Sequence, residues 1–187
     1  FIAVGFIKPS VSYGAEITVD QPAKITWAVS SDESKFDQWL EGFKSIELIS
    51  GEENEVGSQY KVIVNPGEGQ PDFEMIETIK SIKEFDHIEF VFDSDMMVFD
   101  QKVTHTEKDG KTTVKSQSKV TGKGVMTKSM FALMSIFGNA FQKQEQKNFD
   151  ALKKLIEENT TDYYPEPEPV WPAHAPRNAR GSRRPPC

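Results

Sequence analysis

Residues 15–29 read AEITVDQPAKITWAV, and the spacing of their apolar side chains changes in the middle of this stretch. Its first part belongs to a β-rich segment, Val11–Val19, which predicts a first strand. Asp20 and Pro22 then provide the signals of a helix start, with Asp20 as the cap and the proline in the first turn. The sequence therefore predicts a strand that leads directly into a short helix carrying Trp27.

A second short helix and a series of strands follow. Ser31 or Asp32 is the predicted cap of this helix, and Gly42 closes it. Apolar residues then alternate with polar ones between short turns, which predicts six further antiparallel strands. These strands are Phe43–Ile49, Gln59–Val64, Asp72–Ile82, His87–Asp93, Met96–Thr106 and Lys111–Thr121. Asp109 and Gly110 form a strong hairpin signal between the last two strands.

The last predicted element is a long helix from Gly124 to Glu158, a segment that contains no proline. One apolar stripe runs along it, and a rise of 1.5 Å per residue would make it about 52 Å long. Its first half is apolar on more than one side, whereas Gln, Lys and Glu cover the outer face of its second half. We interpret the Lys and Glu side chains of this second half as a solvated face.

The element order and the opening residues together resemble the SRPBCC superfamily. The similar residues are 15–29, Asp32 and the segment from Phe36 to Leu40 with Trp39. The superfamily includes polyketide cyclase/dehydrase-like proteins, START lipid-transfer domains and birch-pollen-allergen-like proteins, and activators of the Hsp90 ATPase share the pattern. The resemblance covers roughly residues 11–158.

This resemblance implies the helix-grip fold, which belongs to the α+β class. In that fold a curved, seven-stranded antiparallel sheet wraps around a long C-terminal helix, and two short helices follow strand 1. It also implies an internal cavity between the sheet and the long helix. Strand alternation and the helical stripe then predict the ligand-binding wall: Met75, Glu77, Phe90, Phe92, Phe99, Gln101, Ser116, Ser118, Met126, Met130, Met134 and Phe137.

Within this predicted wall, the two serines would leave space and the methionines would adapt to varied apolar partners. Each Met or Phe taken alone is better explained as core, whereas the set as a whole favours a cavity wall. Glu77 is the main ionisable candidate, because inward burial would raise its pKa and let it donate a proton or orient a ligand hydroxyl. A bulge or a Lys or backbone donor would remove that role. Gln101 is the second polar candidate, while His87 and His105 are expected to face solvent.

Composition excludes several other classes of function. The net charge of -7 argues against a nucleic acid partner, because such proteins usually carry a basic surface. The single Cys and three scattered His residues provide no zinc site, so we expect no metal and no cofactor. Neither a Gly-x-Ser-x-Gly elbow nor a phosphate-binding loop occurs, and no catalytic residue is assigned.

Both ends of the chain differ from the body. Residues 1–10 begin with seven mostly apolar residues, which are interpreted either as the end of a longer apolar anchor or as a short strand or sticky end. The first interpretation implies a soluble domain tethered to a membrane, and the second a cytoplasmic one. Residues 159–187 are a predicted disordered tail rich in Pro and Arg. From about residue 171 it is either a native basic tail or, as we favour, a segment of foreign origin.

Three functions are compatible with these observations. We favour a non-enzymatic domain that binds a hydrophobic small molecule or lipid between the sheet and the C-terminal helix. The second function is an enzyme of the cyclase/dehydratase type that uses an inward carboxylate, although a second acid–base group is missing. The third is a protein-interaction module of the Hsp90-activator kind with no assigned protein partner. A filled cavity with Glu77 pointing outward would favour this third function, whereas an open cavity with a paired, buried Glu77 would favour the enzyme.

Overall fold

An antiparallel sheet dominates the part of the chain that the computed structural model describes, residues 10–65, 67–124 and 140–167. Its strands are β1 (Ser10–Tyr13), β2 (Glu16–Val19), β3 (Phe43–Ser50), β4 (Gln59–Val64), β5 (Phe73–Lys83), β6 (His87–Asp93), β7 (Met97–Lys108) and β8 (Lys111–Gly122). The helices are α1 (Ala23–Ser30), a 3₁₀ helix (Glu33–Lys35), α2 (Phe36–Trp39) and α3 (Ala140–Glu157). The predicted α+β class and the helix-grip arrangement are confirmed.

The predicted first strand is divided into two. β1 and β2 both pair with β8, in a sheet of order β1-β8-β7-β6-β5-β4-β3, so eight strands fill the seven predicted positions. The division falls at Gly14 and Ala15, where the Ser116 backbone N–H donates to the Ala15 carbonyl over 2.8 Å. At α3, Gln142 bonds both backbone groups of Gly14, and Gln146 bonds both of Glu16. The helix α3 therefore supplies hydrogen-bond partners for backbone N–H and C=O groups that are left unpaired where the strand divides.

Gly14 is required at this division for a steric reason. A β-carbon there would collide with the carbonyl oxygen of Ser116. We expect Gly14→Ala to lower the free energy of unfolding by about 1–3 kcal/mol, the usual cost of overpacking. Urea unfolding would measure the loss, with Ser12→Ala in the adjoining strand β1 as the control. Equal stabilities of the two variants would contradict this account.

Register irregularities bend the sheet. The pairing of β3 with β4 shifts between Phe43 and Ser45 and again between Leu48 and Ser50. The pairing of β5 with β6 shifts at residues 79–81. Such bulges increase local twist and curvature. The β7–β8 hairpin turns at Asp109 and Gly110, which both have positive φ angles, as the predicted Asp-Gly turn requires.

The start of α1 differs from the prediction. Asp20 does not cap this helix; its carboxylate lies 3.6 Å from the Lys111 ammonium instead. Pro22 occupies the cap position, and the first helical N–H, that of Ala23, donates to the carboxylate of Glu107 on β7 over 2.8 Å. A side chain distant in sequence therefore takes the place of the expected local cap.

The second cap is confirmed for the 3₁₀ helix. Asp32 accepts a hydrogen bond from the Ser34 N–H over 3.1 Å, as a cap carboxylate does. Asp32 also accepts from the Tyr163 hydroxyl over 2.7 Å, and Lys35 donates to the same hydroxyl over 2.6 Å. Residues just beyond α3, which the sequence assigned to the tail, thus pack onto the short helices.

The core lies where α3 packs against β2 and α1. Buried side chains from these elements and from β8 form it: Ala15, Ile17, Val19, Val29, Val114, Phe149, Leu152 and Ile156. The described part of the predicted long helix is Ala140–Glu157, and residues 125–139 lie outside the described residues. Residues 1–9 and 168–187 lie outside them as well.

Candidate ligand-binding cavity

A cavity of about 340 Å³ lies between the sheet, the short helices and α3. Six of the predicted ligand-binding residues line it: Met75, Glu77, Phe90, Phe92, Phe99 and Gln101. Ser116 and Ser118 are not among the described residues that line it. Met126, Met130, Met134 and Phe137 fall outside the described residues. The alternation of β5, β6 and β7 thus brings half of the predicted set to one cavity.

The two serines make buried contacts with the protein. Ser116 accepts a hydrogen bond from the Ala15 N–H over 2.9 Å, which fixes the division between β1 and β2. Ser118 donates to Glu145 Oε1 over 3.0 Å, and the Gln101 side-chain amide donates to the same oxygen over 3.1 Å. Ser116 therefore supports the backbone, whereas Ser118 and Gln101 hold a carboxylate of α3.

Glu145 is the residue of this cluster that sequence reasoning missed. It is only 8% exposed and lines the cavity, contrary to the expected solvated face. Its other oxygen, Oε2, is buried and has no partner within the described residues. The signal was its position four residues from both Phe141 and Phe149, on the apolar stripe of the helix. Because glutamate is usually exposed, the sequence analysis placed Glu145 on the solvated face although its position on the helix is inward.

Glu77 is 8% exposed and faces the cavity from β5. Within the described residues no group donates a hydrogen bond to its carboxylate. Burial, assisted by the negative charge of Glu33, raises the pKa of Glu77 to about 7. Partial loss of hydration likewise raises the pKa of Glu33, a residue that is still exposed, and the nearby charge of Glu53 assists. At neutral pH the cavity thus contains a carboxyl group poised between its protonated and ionised forms.

His105 contradicts the prediction that it faces solvent. It is 7% exposed, lines the cavity and lies 5.1 Å from Trp27 between ring centroids. Burial lowers the pKa of His105 to about 4, so the imidazole is neutral at pH 7. Its Nδ1 is buried without a partner in the described part of the chain, while Nε2 lies 3.5 Å from the Ser30 hydroxyl. α1 covers this strand end, which the sequence of β7 could not indicate.

Aromatic rings form much of the remaining wall. Tyr13 stacks between Phe99 and Phe141, with centroid distances of 6.2 and 5.2 Å. Burial raises the pKa of Tyr13, as does the charge of Glu145. Phe92 lies 5.3 Å from Phe99, which continues the aromatic surface across the sheet. Sequence reasoning assigned neither Tyr13 nor Phe141 to the wall, although Phe99 was predicted.

The arrangement is suited to binding an apolar molecule with a few polar contacts. Apolar and aromatic side chains predominate, and Glu77, Gln101 and Glu145 are placed among them. No group of His, Cys, Asp or Glu within the described ranges could hold a metal ion. In those same ranges, no helix is both long and apolar enough to span a membrane.

Solved structures with the same architecture were compared with this chain. Ara h 8.0201 aligns with a TM-score of 0.58 at 18% identity, covering 80% of this chain and 99% of that one. The architecture shared with this structure is the helix-grip fold. The di-domain ARO/CYC BexL from the BE-7585A biosynthetic pathway gives a TM-score of 0.63 at 14% identity, covering 83% of this chain and 53% of BexL.

A third structure with the helix-grip fold is named as a synthase. A point mutant of norcoclaurine synthase from Thalictrum flavum, in complex with a transition state analogue, aligns with a TM-score of 0.57 at 18% identity. The alignment covers 80% of this chain and 96% of the synthase. No family model and no curated protein matches the sequence. At these identities the helix-grip likeness establishes the fold, and function has to be argued from the cavity itself.

Proposed function

We propose that this chain binds a small hydrophobic molecule or lipid in the cavity between the sheet and the C-terminal helix. The observation that carries the proposal is a cavity of about 340 Å³ with a mostly apolar and aromatic wall. Ligand sites typically occupy about 300–1,000 Å³ and combine such walls with a few polar groups. The helix-grip neighbours with a transition state analogue or a cyclase name are compatible with a fold that accommodates small molecules.

In the proposed mode of binding, the apolar body of the ligand packs against Met75, Phe92 and Phe99. Glu77 contacts its polar end, because this carboxyl group faces the cavity without a protein donor in the described residues. Gln101 is a second polar contact, and its amide is oriented by Glu145. Met126, Met130, Met134 and Phe137 remain proposed members of the wall on the side of the long helix.

An enzyme of the cyclase/dehydratase type is the second candidate function. Glu77 favours it, because a buried carboxyl group with a pKa of about 7 is suited to proton transfer near neutral pH. His105 is a second buried ionisable group in the cavity wall, but its pKa of about 4 leaves it neutral and a poor proton donor near neutral pH. Binding alone therefore requires fewer assumptions. The inward Glu77 and the open cavity also count against the Hsp90-activator-like module.

Calorimetric titration of the full chain with octanol, a neutral apolar probe, tests the proposal. We expect saturable binding that weakens at least about tenfold in Val103→Trp, because the larger ring occupies space at the cavity wall. Val91→Trp is the matched control, since Val91 does not line the cavity although it lies on the neighbouring strand β6. Met75→Phe is a milder filling variant with the same expected direction.

The outcome is decisive in both directions. Binding that is lost in Val103→Trp and Met75→Phe but retained in Val91→Trp supports the cavity as the site. Absence of saturable binding to the wild-type chain would contradict the proposed function, as would equal binding by all three variants. Native mass spectrometry of the purified full chain provides an independent test through any small molecule that co-purifies.

A further inference from the structure

The acidic and basic residues of the cavity wall are unequal in number. Among the described residues that line the cavity there are four glutamates, Glu33, Glu41, Glu77 and Glu145, and no lysine or arginine. His105 adds no positive charge at neutral pH, because burial lowers its pKa to about 4. A concave surface lined by one sign of charge concentrates ions of the opposite sign. The described wall therefore favours cations over anions.

Two of these four glutamates already have partners. Glu41 accepts hydrogen bonds from Lys147 over 2.8 Å and from Gln144 over 2.6 Å. Glu145 accepts through one oxygen from Gln101 and Ser118. Within the described residues no side chain or backbone N–H donates a hydrogen bond to Glu77, and no lysine pairs with it, although this side chain is more than nine-tenths buried. A buried carboxylate without a donor is costly, so a cation placed beside it would relieve that cost.

Glu33 extends the acidic region towards solvent. It is an exposed residue at the start of the 3₁₀ helix, lines the cavity and lies close enough to Glu77 for its charge to raise the pKa of that group. Glu53, in the turn between β3 and β4, acts on Glu33 in the same way. A path of negative charge therefore leads from the surface to the buried carboxyl group.

Aromatic rings line the same cavity as Glu33 and Glu77. Phe36, Trp39 and Phe43 line it and pack edge to face, with centroid distances of 6.0 Å from Phe36 to Trp39 and 5.6 Å from Phe36 to Phe43. The face of an aromatic ring attracts an ammonium group, most strongly where water is excluded. Carboxylates and aromatic faces together form a surface with two independent means of holding an organic cation.

We propose that the preferred ligand is a small organic amine, cationic at neutral pH, whose apolar body fills the cavity and whose ammonium group pairs with Glu77 and Glu33. This inference rests on the proposed function and narrows its ligand class. Fatty acids and other anions with an apolar body are disfavoured. Their carboxylate would be repelled by the glutamates that lack partners in the described wall. The ammonium instead replaces its lost water with charge-assisted hydrogen bonds.

Three probes with the same eight-carbon chain and different head-group charges distinguish the effect of charge on affinity from that of apolar contact. Octylamine, octanol and octanoate would each be titrated calorimetrically into the full chain at pH 7.5 and low salt. We expect octylamine to bind about tenfold more tightly than octanol and octanoate to bind most weakly, in the range that a desolvated cation–aromatic contact provides. Glu77→Gln should remove most of the advantage of octylamine over octanol, measured as the ratio of the two affinities within the same variant.

Glu47→Gln is the matched control, because it removes the same charge from an exposed position that does not line the cavity. Glu33→Gln, at an exposed site where folding is not at risk, should remove part of the advantage. The inference would be overturned if octylamine bound no more tightly than octanol, or if octanoate bound as tightly as either. Octanol binding would in that case still support the proposed function. An advantage that survived in both Glu77→Gln and Glu33→Gln would also overturn the inference. Failure of all three probes would reject both proposals.

Discussion

At pH 8 the Glu77→Gln variant is expected to be more stable than the wild-type chain, by up to about 3 kcal/mol. Burial raises the pKa of Glu77 from 4.5 to about 7, and each pKa unit corresponds to about 1.4 kcal/mol. In the folded state the group keeps its proton up to about pH 7, whereas the unfolded chain loses it above about pH 4.5. The stability due to this group therefore falls as the pH rises through that interval.

The amide of glutamine resembles the protonated carboxyl group and does not ionise. The gain in Glu77→Gln should therefore be near zero at pH 4.5, grow between pH 4.5 and 7, and level off above that interval. Urea unfolding at a series of pH values would measure it, with the exposed Glu47→Gln as the control for loss of one negative charge. A gain of equal size at pH 4.5 and 8 would show that charge burial is not the cause.

His105 changes the free energy of unfolding with pH in the opposite direction to Glu77. Its pKa falls from 6.5 in the unfolded chain to about 4 in the folded one, so the unfolded state gains a proton first as the pH falls. The stability due to His105 is therefore lost between about pH 6.5 and 4. In the wild-type chain this loss offsets the gain from Glu77. In Glu77→Gln the histidine slope is unopposed, so acidification below pH 6.5 should destabilise the variant more steeply than the wild type.

The second large effect is expected from Leu152→Ala. Leu152 is 1% exposed in the core where α3 packs against β2 and α1, and it also lines the cavity. Removing a buried leucine side chain usually costs about 2–5 kcal/mol, which includes the cavity left behind. Because the site already borders a cavity, the new space would merge with it and the surroundings would have little to collapse against. We expect a loss of about 3 kcal/mol.

Leu155→Ala is the matched control on the same helix. Leu155 is only partly buried and packs at the margin of the core, so its truncation should cost clearly less. Urea unfolding of both variants at constant pH would compare them. Octanol binding provides a second measurement, since enlarging the cavity at residue 152 should retain the probe. Similar losses from the two substitutions would contradict the assignment of Leu152 to the centre of the core.

Local patterns along the chain were enough to predict the order of the elements and the face of most strand residues. Alternation along β5, β6 and β7 placed Met75, Glu77, Phe99 and Gln101 on inward positions, because successive side chains of a strand point to opposite faces. The Asp-Gly pair specified the last hairpin through its tolerance of positive φ angles. These features depend on neighbouring residues along the chain, and so they can be read locally.

Tertiary structure alone decided which polar groups are buried and what they contact. Glu145 lies on an apolar stripe, yet its burial depends on Gln101 and Ser118 reaching it from two strands. His105 is buried because α1 covers the end of β7, and Glu107 caps α1 only because β7 passes beside that helix. Periodicity gives the direction of a side chain, but its solvation and pKa follow from groups that are distant in sequence. For that reason the chemistry of the cavity emerged only with the fold.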